Sequence, residues 1–164
     1  MLDEAHETLG WAEFGVAARE LAQLVVDDGF GPTVLLAIAR GGLPVGGAVS
    51  YALGLKNCCA INVEYYTGID ERLEMPVILP PALDFVDLSD ERLLVVDDVA
   101  DTGETLKLVA DTIRPYVDEL RTAVLYEKSR SVVRADYVWR RTERWIDFPW
   151  STLPPVEGSG SHPA

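Results

Sequence analysis

Two short apolar runs without polar alternation constrain the fold most strongly. Residues 33–39 read TVLLAIA and follow Pro32, and residues 93–96 read LLVV. Continuously apolar strands suit a sheet that is covered on both faces. Helical patterns separate these runs along the chain, and strands that alternate with helices form a parallel sheet. The sequence therefore predicts an α/β fold in three layers, with a parallel sheet between helices.

The other elements follow the same alternation. Apolar residues at helical spacing predict a helix over residues 11–28, and small residues after a glycine turn predict a second helix that stops at Gly54. Further strands are expected at residues 58–66, 92–98, 121–128 and 135–140, with a helix at 103–113. Residues 66–89 hold three prolines and alternating charges, which predicts an irregular excursion with a hairpin.

The length of 164 residues suits one domain, which we predict over residues 1–150 with a disordered tail over 151–164. No apolar run is long enough for a membrane span, and the first residues lack a signal-peptide pattern. Cys58 and Cys59 are adjacent, and His6 and His162 lie near the ends, so neither a disulfide nor a Cys/His metal site is expected. These features predict a cytoplasmic protein.

The net charge of −13 argues against nucleic acid or an anionic membrane as a partner, because both require basic surface. It leaves a small anionic ligand open, since salt screens charges beyond about 8 Å and local donors decide binding.

Three predicted strands end in polar residues. These residues are Arg40, Gly41 and Gly42 after the first run, Asp97 and Asp98 at the start of a polar stretch to Thr105, and Lys128 after a later strand. Ligands of parallel sheets bind at the carboxyl ends of the strands, so we expect the three clusters to share one edge.

The stretch DDVADTGET combines acids with features of a phosphate site. Gly103 permits close approach to a ligand, Thr102 and Thr105 add hydroxyl donors, and the following helix adds amides and a positive dipole end. The P-loop spacing is absent. The carboxylates of Asp97 and Asp98 suit the vicinal hydroxyls of a sugar phosphate. A merely capped turn with solvated acids is the alternative interpretation.

These motifs carry a family resemblance. LLVVDDVADTGETL, residues 93–106, resembles the 5-phosphoribosyl-1-pyrophosphate (PRPP) motif of the type I phosphoribosyltransferases, and residues 37–54 resemble the pyrophosphate loop of that family. VLYEKS, ADYVWR and WIDFPW are similar to segments of the bacterial xanthine-guanine enzymes and, more loosely, of the hypoxanthine-guanine enzymes. The resemblance covers residues 9–150. It implies a small hood, built from the N- and C-terminal segments, over the sheet.

The resemblance also implies which residues bind PRPP. They are Asp97 and Asp98 for the ribose hydroxyls, Thr102, Gly103, Glu104 and Thr105 for the 5-phosphate, and Arg40, Gly41 and Arg72 for pyrophosphate. Asp101 would contact PRPP and the purine, and would act as the catalytic acid/base. Asp98 would contact Mg²⁺, with Asp147 as a second residue near the metal. Arg72 as a solvated loop residue, and Glu104 with its side chain turned away, are the alternatives.

The base would be held by residues of the C-terminal third. Lys128 would donate to a purine 6-oxo group, Trp145 would stack on the ring, and the backbone of Ile146 would contact the 2-position edge. The alternatives are an ordinary surface lysine for Lys128 and core packing for Trp145. Trp11, Trp139 and Trp150 are interpreted as structural.

The implied function is a Mg²⁺-dependent purine phosphoribosyltransferase of purine salvage. It would transfer phosphoribose from PRPP to guanine, xanthine or hypoxanthine, and would yield a purine nucleotide and pyrophosphate. We expect a homo-oligomer. A phosphoribosyltransferase for another nucleobase and a non-catalytic regulator that binds PRPP or nucleotides are the alternative hypotheses.

Overall fold

The structure, a computed structural model, describes residues 5–66, 75–79 and 88–158. Its elements are β1 (His6–Thr8), α1 (Trp11–Asp27), β2 (Val34–Ala39), α2 (Gly42–Leu53), β3 (Cys58–Tyr66), β4 (Met75–Leu79), β5 (Arg92–Ala100), α3 (Glu104–Ile113), a 3-10 turn (Arg114–Tyr116), β6 (Glu119–Glu127), β7 (Tyr137–Arg141) and β8 (Trp145–Asp147). Among the helices described, none is both long and apolar enough to cross a membrane.

Six strands form the central sheet in the order β4-β3-β2-β5-β6-β7. Every neighbouring pair is parallel except β3 and β4. The pairing of β2 with β5 aligns Val34 with Leu93 and Ala37 with Val96. This arrangement confirms the predicted α/β class and the three layers.

The continuous apolarity of β2 and β5 reflects two cores. One core packs α1 and α2 against Leu35, Ala37, Leu94 and Val96. The other packs α3 against Leu36, Ile38, Leu93 and Val95. Because successive side chains of a strand point to opposite faces, both faces of these strands are buried and no polar alternation is left.

The structure lengthens one predicted strand and agrees with the predicted hairpin. β5 continues to Ala100, so that Asp97 and Asp98 lie within its last residues instead of ending it. Its pairing with β6 extends to Ala100 and Glu127. Within the predicted excursion, β4 pairs antiparallel with the end of β3, as a hairpin requires. Residues 67–74 and 80–87, including Arg72, lie outside the described part of the chain.

A second, two-stranded sheet forms the expected hood from the ends of the chain. β1 pairs in parallel with β8, and the register aligns His6 with Trp145. The sequence did not predict β1, because three residues are too short to show a period. An aromatic cluster anchors the hood on the sheet side: Trp150 stacks on Phe148 at 4.9 Å and meets Phe14 edge-on at 5.2 Å.

Candidate active site

Two cavities, each of about 290 Å³, meet at the carboxyl end of β5. The loop cavity is lined by Asp97, Val99, Ala100, Asp101, Thr102, Gly103, Thr105 and Leu106. The hood cavity is lined by Val99, Asp101, Lys128, Trp145, Ile146, Asp147, Phe148, Ser151 and Thr152. Val99 and Asp101 line both. A ligand with two chemically different parts can therefore occupy both cavities and pass Asp101.

Gly103 gives the loop cavity its shape. Its φ of +76° lies in the left-handed region, and a Cβ there would strike the Ser131 hydroxyl and lie 3.1 Å from the Val132 amide nitrogen. The Val132 amide donates to the Thr102 carbonyl at 2.8 Å, which ties the two loops together. The loop leads directly into α3, whose N-terminus favours an anion through its amides and dipole.

Glu104 stands apart from the other loop residues. It is the first residue of α3, it is exposed, and it is absent from the residues that line the loop cavity. Its exposure agrees with the alternative in which the side chain is turned away from the phosphate site.

Asp97 and Asp98 form a half-buried pair of acids beside the loop cavity. The Asp98 amide donates to Asp97 Oδ1 at 2.9 Å, and the Val99 amide donates to Asp98 Oδ1 at 2.7 Å. Burial raises the pKa of both carboxyl groups, and the Asp98 charge raises the pKa of Asp97 further. Such a pair of neighbouring acids suits hydroxyl donors or a cation.

A magnesium ion fits this pair only together with a substrate. Among the residues that the structure describes, no group of three or more His, Cys, Asp or Glu side chains converges on one point. Mg²⁺ is commonly held by one or two carboxylates while waters and substrate phosphates supply the other ligands. The donor set of Asp97 and Asp98 meets that requirement.

The turn after β2 reaches the same acids. Arg40 is exposed in this turn, its peptide bond with Ala39 is cis, and its carbonyl accepts from the Leu43 amide at 3.0 Å. A Cβ on Gly41 would collide with the Asp98 carboxylate. The first two polar clusters of the sequence are therefore in direct contact, and glycine at 41 is what permits it.

Lys128 projects into the hood cavity from the end of β6. Its amide donates to the Ala100 carbonyl at 3.0 Å, which continues the ladder of β5 and β6. The side chain is only 7% exposed, with Nζ 3.6 Å from Asp101 Oδ1 and 5.8 Å from the centre of the Trp145 ring. This burial does not suit an ordinary surface lysine.

β8 supplies the opposite wall of the hood cavity. Trp145 is 61% exposed, so core packing does not account for it, whereas Ile146 is buried. The Trp145 amide donates to the Ala5 carbonyl at 3.0 Å. Asp147 Oδ2 lies 3.1 Å from His6 Nδ1, so its side chain is engaged by the opposite strand of the hood.

The structure adds site residues that sequence reasoning missed. Arg130 donates from Nε and Nη2 to Asp101 Oδ1, at 2.8 and 2.5 Å. The Trp150 indole interacts with Asp98 and lowers the pKa of that carboxyl group against the effect of burial. Ser151 and Thr152 line the hood cavity. A second cation two residues after Lys128 was a visible signal for Arg130, but nothing in the sequence linked position 150 to position 98.

The chain matches the family model described as the phosphoribosyl transferase domain over residues 7–155. It is 30% identical over 147 residues to a xanthine-guanine phosphoribosyltransferase of Idiomarina loihiensis, which covers 87% of this chain and 84% of that protein. A xanthine-guanine phosphoribosyltransferase of Ruegeria sp. strain TM1040 is 29% identical over 153 residues, covering 87% of this chain and 83% of the relative. The crystal structure of a purine phosphoribosyltransferase from Pyrococcus horikoshii superimposes with a TM-score of 0.79 and 35% identity, and covers 94% of this chain and 99% of that chain.

Proposed function

This chain belongs to the phosphoribosyltransferase family, and we propose that it transfers 5-phosphoribose from PRPP to N9 of a 6-oxopurine in purine salvage. The observation that carries the proposal is the junction of the loop cavity and the hood cavity at Asp101. A phosphate cradle on one side and a base-sized space on the other meet where the new bond to C1 of the ribose would form.

PRPP would occupy the loop side. The loop from Thr102 to Thr105 would cradle the 5-phosphate through amides and hydroxyls. Asp97 and Asp98 would accept hydrogen bonds from the ribose 2- and 3-hydroxyls, which suits acids whose pKa burial has raised. Arg40 and Gly41 would bind pyrophosphate, with Arg72 as a further proposed contact outside the described residues.

The purine would occupy the hood side. Lys128 is a donor only, so it would pair with a 6-oxo group and not with the 6-amino group of adenine. Trp145 presents an exposed ring to this cavity and would stack on the base. The backbone of Ile146 would contact the 2-position edge, which differs between guanine, xanthine and hypoxanthine.

In the reaction, the bond from C1 to pyrophosphate oxygen breaks and the bond from N9 to C1 forms. The proton that the base loses passes to the Asp101 carboxylate, which lies at the junction of the two cavities. Arg40 and Arg72 would stabilise the negative charge that develops on the leaving group. Bound Mg²⁺, held by Asp98 with Asp147 as a proposed second residue, would supply further charge neutralisation of the pyrophosphate.

The test is to incubate the protein with PRPP, Mg²⁺ and one of six bases: guanine, xanthine, hypoxanthine, adenine, uracil or orotate. We expect base-dependent release of pyrophosphate with one or more of the 6-oxopurines. Adenine should be rejected by a large factor, because the buried Lys128 would then face an unpaired polar group. Reactions without Mg²⁺ and without base are the controls.

Each alternative predicts a different result. Turnover of uracil or orotate alone would indicate a phosphoribosyltransferase for another nucleobase. Binding of PRPP without pyrophosphate release from any base would favour a regulator, and a gel shift with nucleic acid, with and without PRPP, would then test it. Comparable turnover of adenine and guanine would show that Lys128 does not select the 6-oxo group.

A further inference from the structure

The Arg130 guanidinium makes the shortest charged contacts in the candidate active site. Its Nε and Nη2 atoms lie 2.8 and 2.5 Å from Asp101 Oδ1, while Lys128 Nζ lies 3.6 Å from the same oxygen. Two cations thus converge on one oxygen of a carboxylate that lines both cavities. Within the described residues, no hydrogen bond reaches the second oxygen, Oδ2.

The loop that carries Arg130 is fixed at both ends. The Ser131 amide donates to the Lys128 carbonyl at 3.1 Å, and the Val132 amide donates to the Thr102 carbonyl at 2.8 Å. The Ser131 hydroxyl donates to the Val133 carbonyl at 2.6 Å. The backbone of Arg130 is therefore held beside the loop cavity. Its side chain is 60% exposed and meets Asp101, whose side chain is 37% exposed.

Lys128 and Arg130 differ in what else they can reach. The Lys128 side chain is 7% exposed and lies within the hood cavity, where a base would compete for its ammonium group. Arg130 is not among the residues that line that cavity. When Lys128 turns to a 6-oxo group, Arg130 remains as the cation on Asp101.

We propose that Arg130 is a positioning residue for Asp101: it holds Oδ1 in place and leaves Oδ2 to take the proton of the purine base. This inference rests on the proposed function, in which Asp101 accepts the proton that the purine loses. Charge-assisted hydrogen bonds from a guanidinium are strong and directional, so two donors on Oδ1 restrict where the carboxylate lies.

The test compares Arg130→Gln and Arg130→Lys with the parent protein in steady-state and single-turnover kinetics. Misplacing the Asp101 carboxylate should lower kcat about 10- to 100-fold in Arg130→Gln, while KM for PRPP stays close to the parent value. Arg130→Lys keeps a cation but loses the planar pair of donors, so its kcat should lie between the other two. Arg19→Gln, an exposed arginine on α1, is the matched control.

A double-mutant cycle separates positioning from a general effect on folding. In an Asp101→Asn background, Arg130→Gln should cause little further loss of kcat, because the carboxylate that it positions is already gone. Thermal unfolding of every variant accompanies the kinetics. If Arg130→Gln does not fold, Arg130→Lys alone decides, and a kcat equal to that of the parent would overturn the proposal.

Failure of the proposed function and failure of the inference about Arg130 would give different results. A parent protein that releases no pyrophosphate with any base overturns the proposed function, and this inference with it. An active parent whose Arg130→Gln variant keeps or raises kcat overturns only the inference, and would mark Arg130 as a latch that occupies Asp101 in the empty site. Additive losses in the double-mutant cycle would likewise show that Arg130 acts elsewhere.

Discussion

The loop half and the hood half of the candidate site are built in different ways. The loop half, from Asp97 to Thr105, is one uninterrupted segment that runs from β5 into α3. The hood half joins the end of β6 to β8 and to Ser151 and Thr152, and β1 holds β8 in place. The first is supplied by a single segment, although Gly41 and Val132 contact it, and the second is assembled from segments that are distant in the chain.

This difference separates the two kinds of ligand chemistry. Phosphate is recognised by amides at a helix N-terminus, which a short segment can present alone. A purine is recognised by a stacked ring and by donors on its edge, which must come from opposite walls. Substitutions in the loop half should therefore act on PRPP, and substitutions in the hood half should act on the base, while substitution of Asp101 at the junction should act on the reaction that joins the two.

The largest effect is expected at that junction. Asp101→Asn removes the acceptor for the base proton and should lower kcat by about 10²-fold or more. PRPP binding, measured by calorimetry, should persist because the phosphate cradle is intact. Asp118→Asn, an exposed acid near the start of β6, is the matched control. Unchanged turnover would show that another residue accepts the proton and that Asp101 does not link the two halves of the site.

Lys128→Met tests the hood half alone. Losing the hydrogen bond from a charged donor should cost about 1.5–3 kcal/mol, which corresponds to roughly 10- to 100-fold in kcat/KM for the base. KM for PRPP should change little. Lys107→Met, an exposed lysine of α3 that pairs with Asp111, serves as the control. An equal loss for PRPP and for the base would contradict the division of the site into two halves.

Gly103→Ala tests the loop half. A Cβ at a φ of +76° and against Ser131 should lower the free energy of unfolding by about 1–2 kcal/mol and raise KM for PRPP. Gly47→Ala is the opposite case, since Gly47 lies inside α2 with open space at its Cβ. It should raise stability by about 0.5–1 kcal/mol without altering KM. If both variants changed KM for PRPP alike, local loop geometry would not explain the loop half.

Asp97→Asn should give the smallest effect, and one that depends on pH. Burial and the charge of Asp98 raise the pKa of Asp97 in the folded state. Above about pH 4, the ordinary pKa of a carboxyl group, the folded protein therefore binds more protons than the unfolded chain. The free energy of unfolding therefore falls as the pH rises from about 4 through the raised pKa of Asp97. Without Mg²⁺ or PRPP, the variant should melt roughly 2–4 °C higher at pH 7.

The two melting temperatures should converge below about pH 4, where Asp97 is protonated in both states. A difference that stays constant from pH 4 to pH 8 would show that ionisation of Asp97 has no part in it. A gain that also appears with PRPP and Mg²⁺ bound would argue against a role of Asp97 in the loop half.

Sequence reasoning succeeded where the determinants are local. Each of these features lies within one short segment: the buried strands, the turn at Gly103 and the acids of β5. The residue types alone indicate which positions are buried, which form a turn and which are polar. The ends of the strands placed Lys128 at the ligand-binding edge, but its contact with a purine, and any role of Trp145, could be proposed only through the family resemblance. No periodicity brings position 128 next to position 145. Arg130 and Trp150 were missed since their roles arise from side chains that cross between loops, at Asp101 and Asp98.

The parallel pairing of β1 with β8 has a consequence for synthesis of the chain. β1 leaves the ribosome before every other strand described and β8 leaves after all of them, yet the two depend on each other. Domains form progressively as a chain is translated, at about 5–20 residues per second. The loop half can fold once Val132, whose amide holds the Thr102 carbonyl, has emerged, whereas the wall that carries Trp145 must wait for residue 147. A nascent chain would therefore acquire its phosphate cradle first and its base-binding wall last.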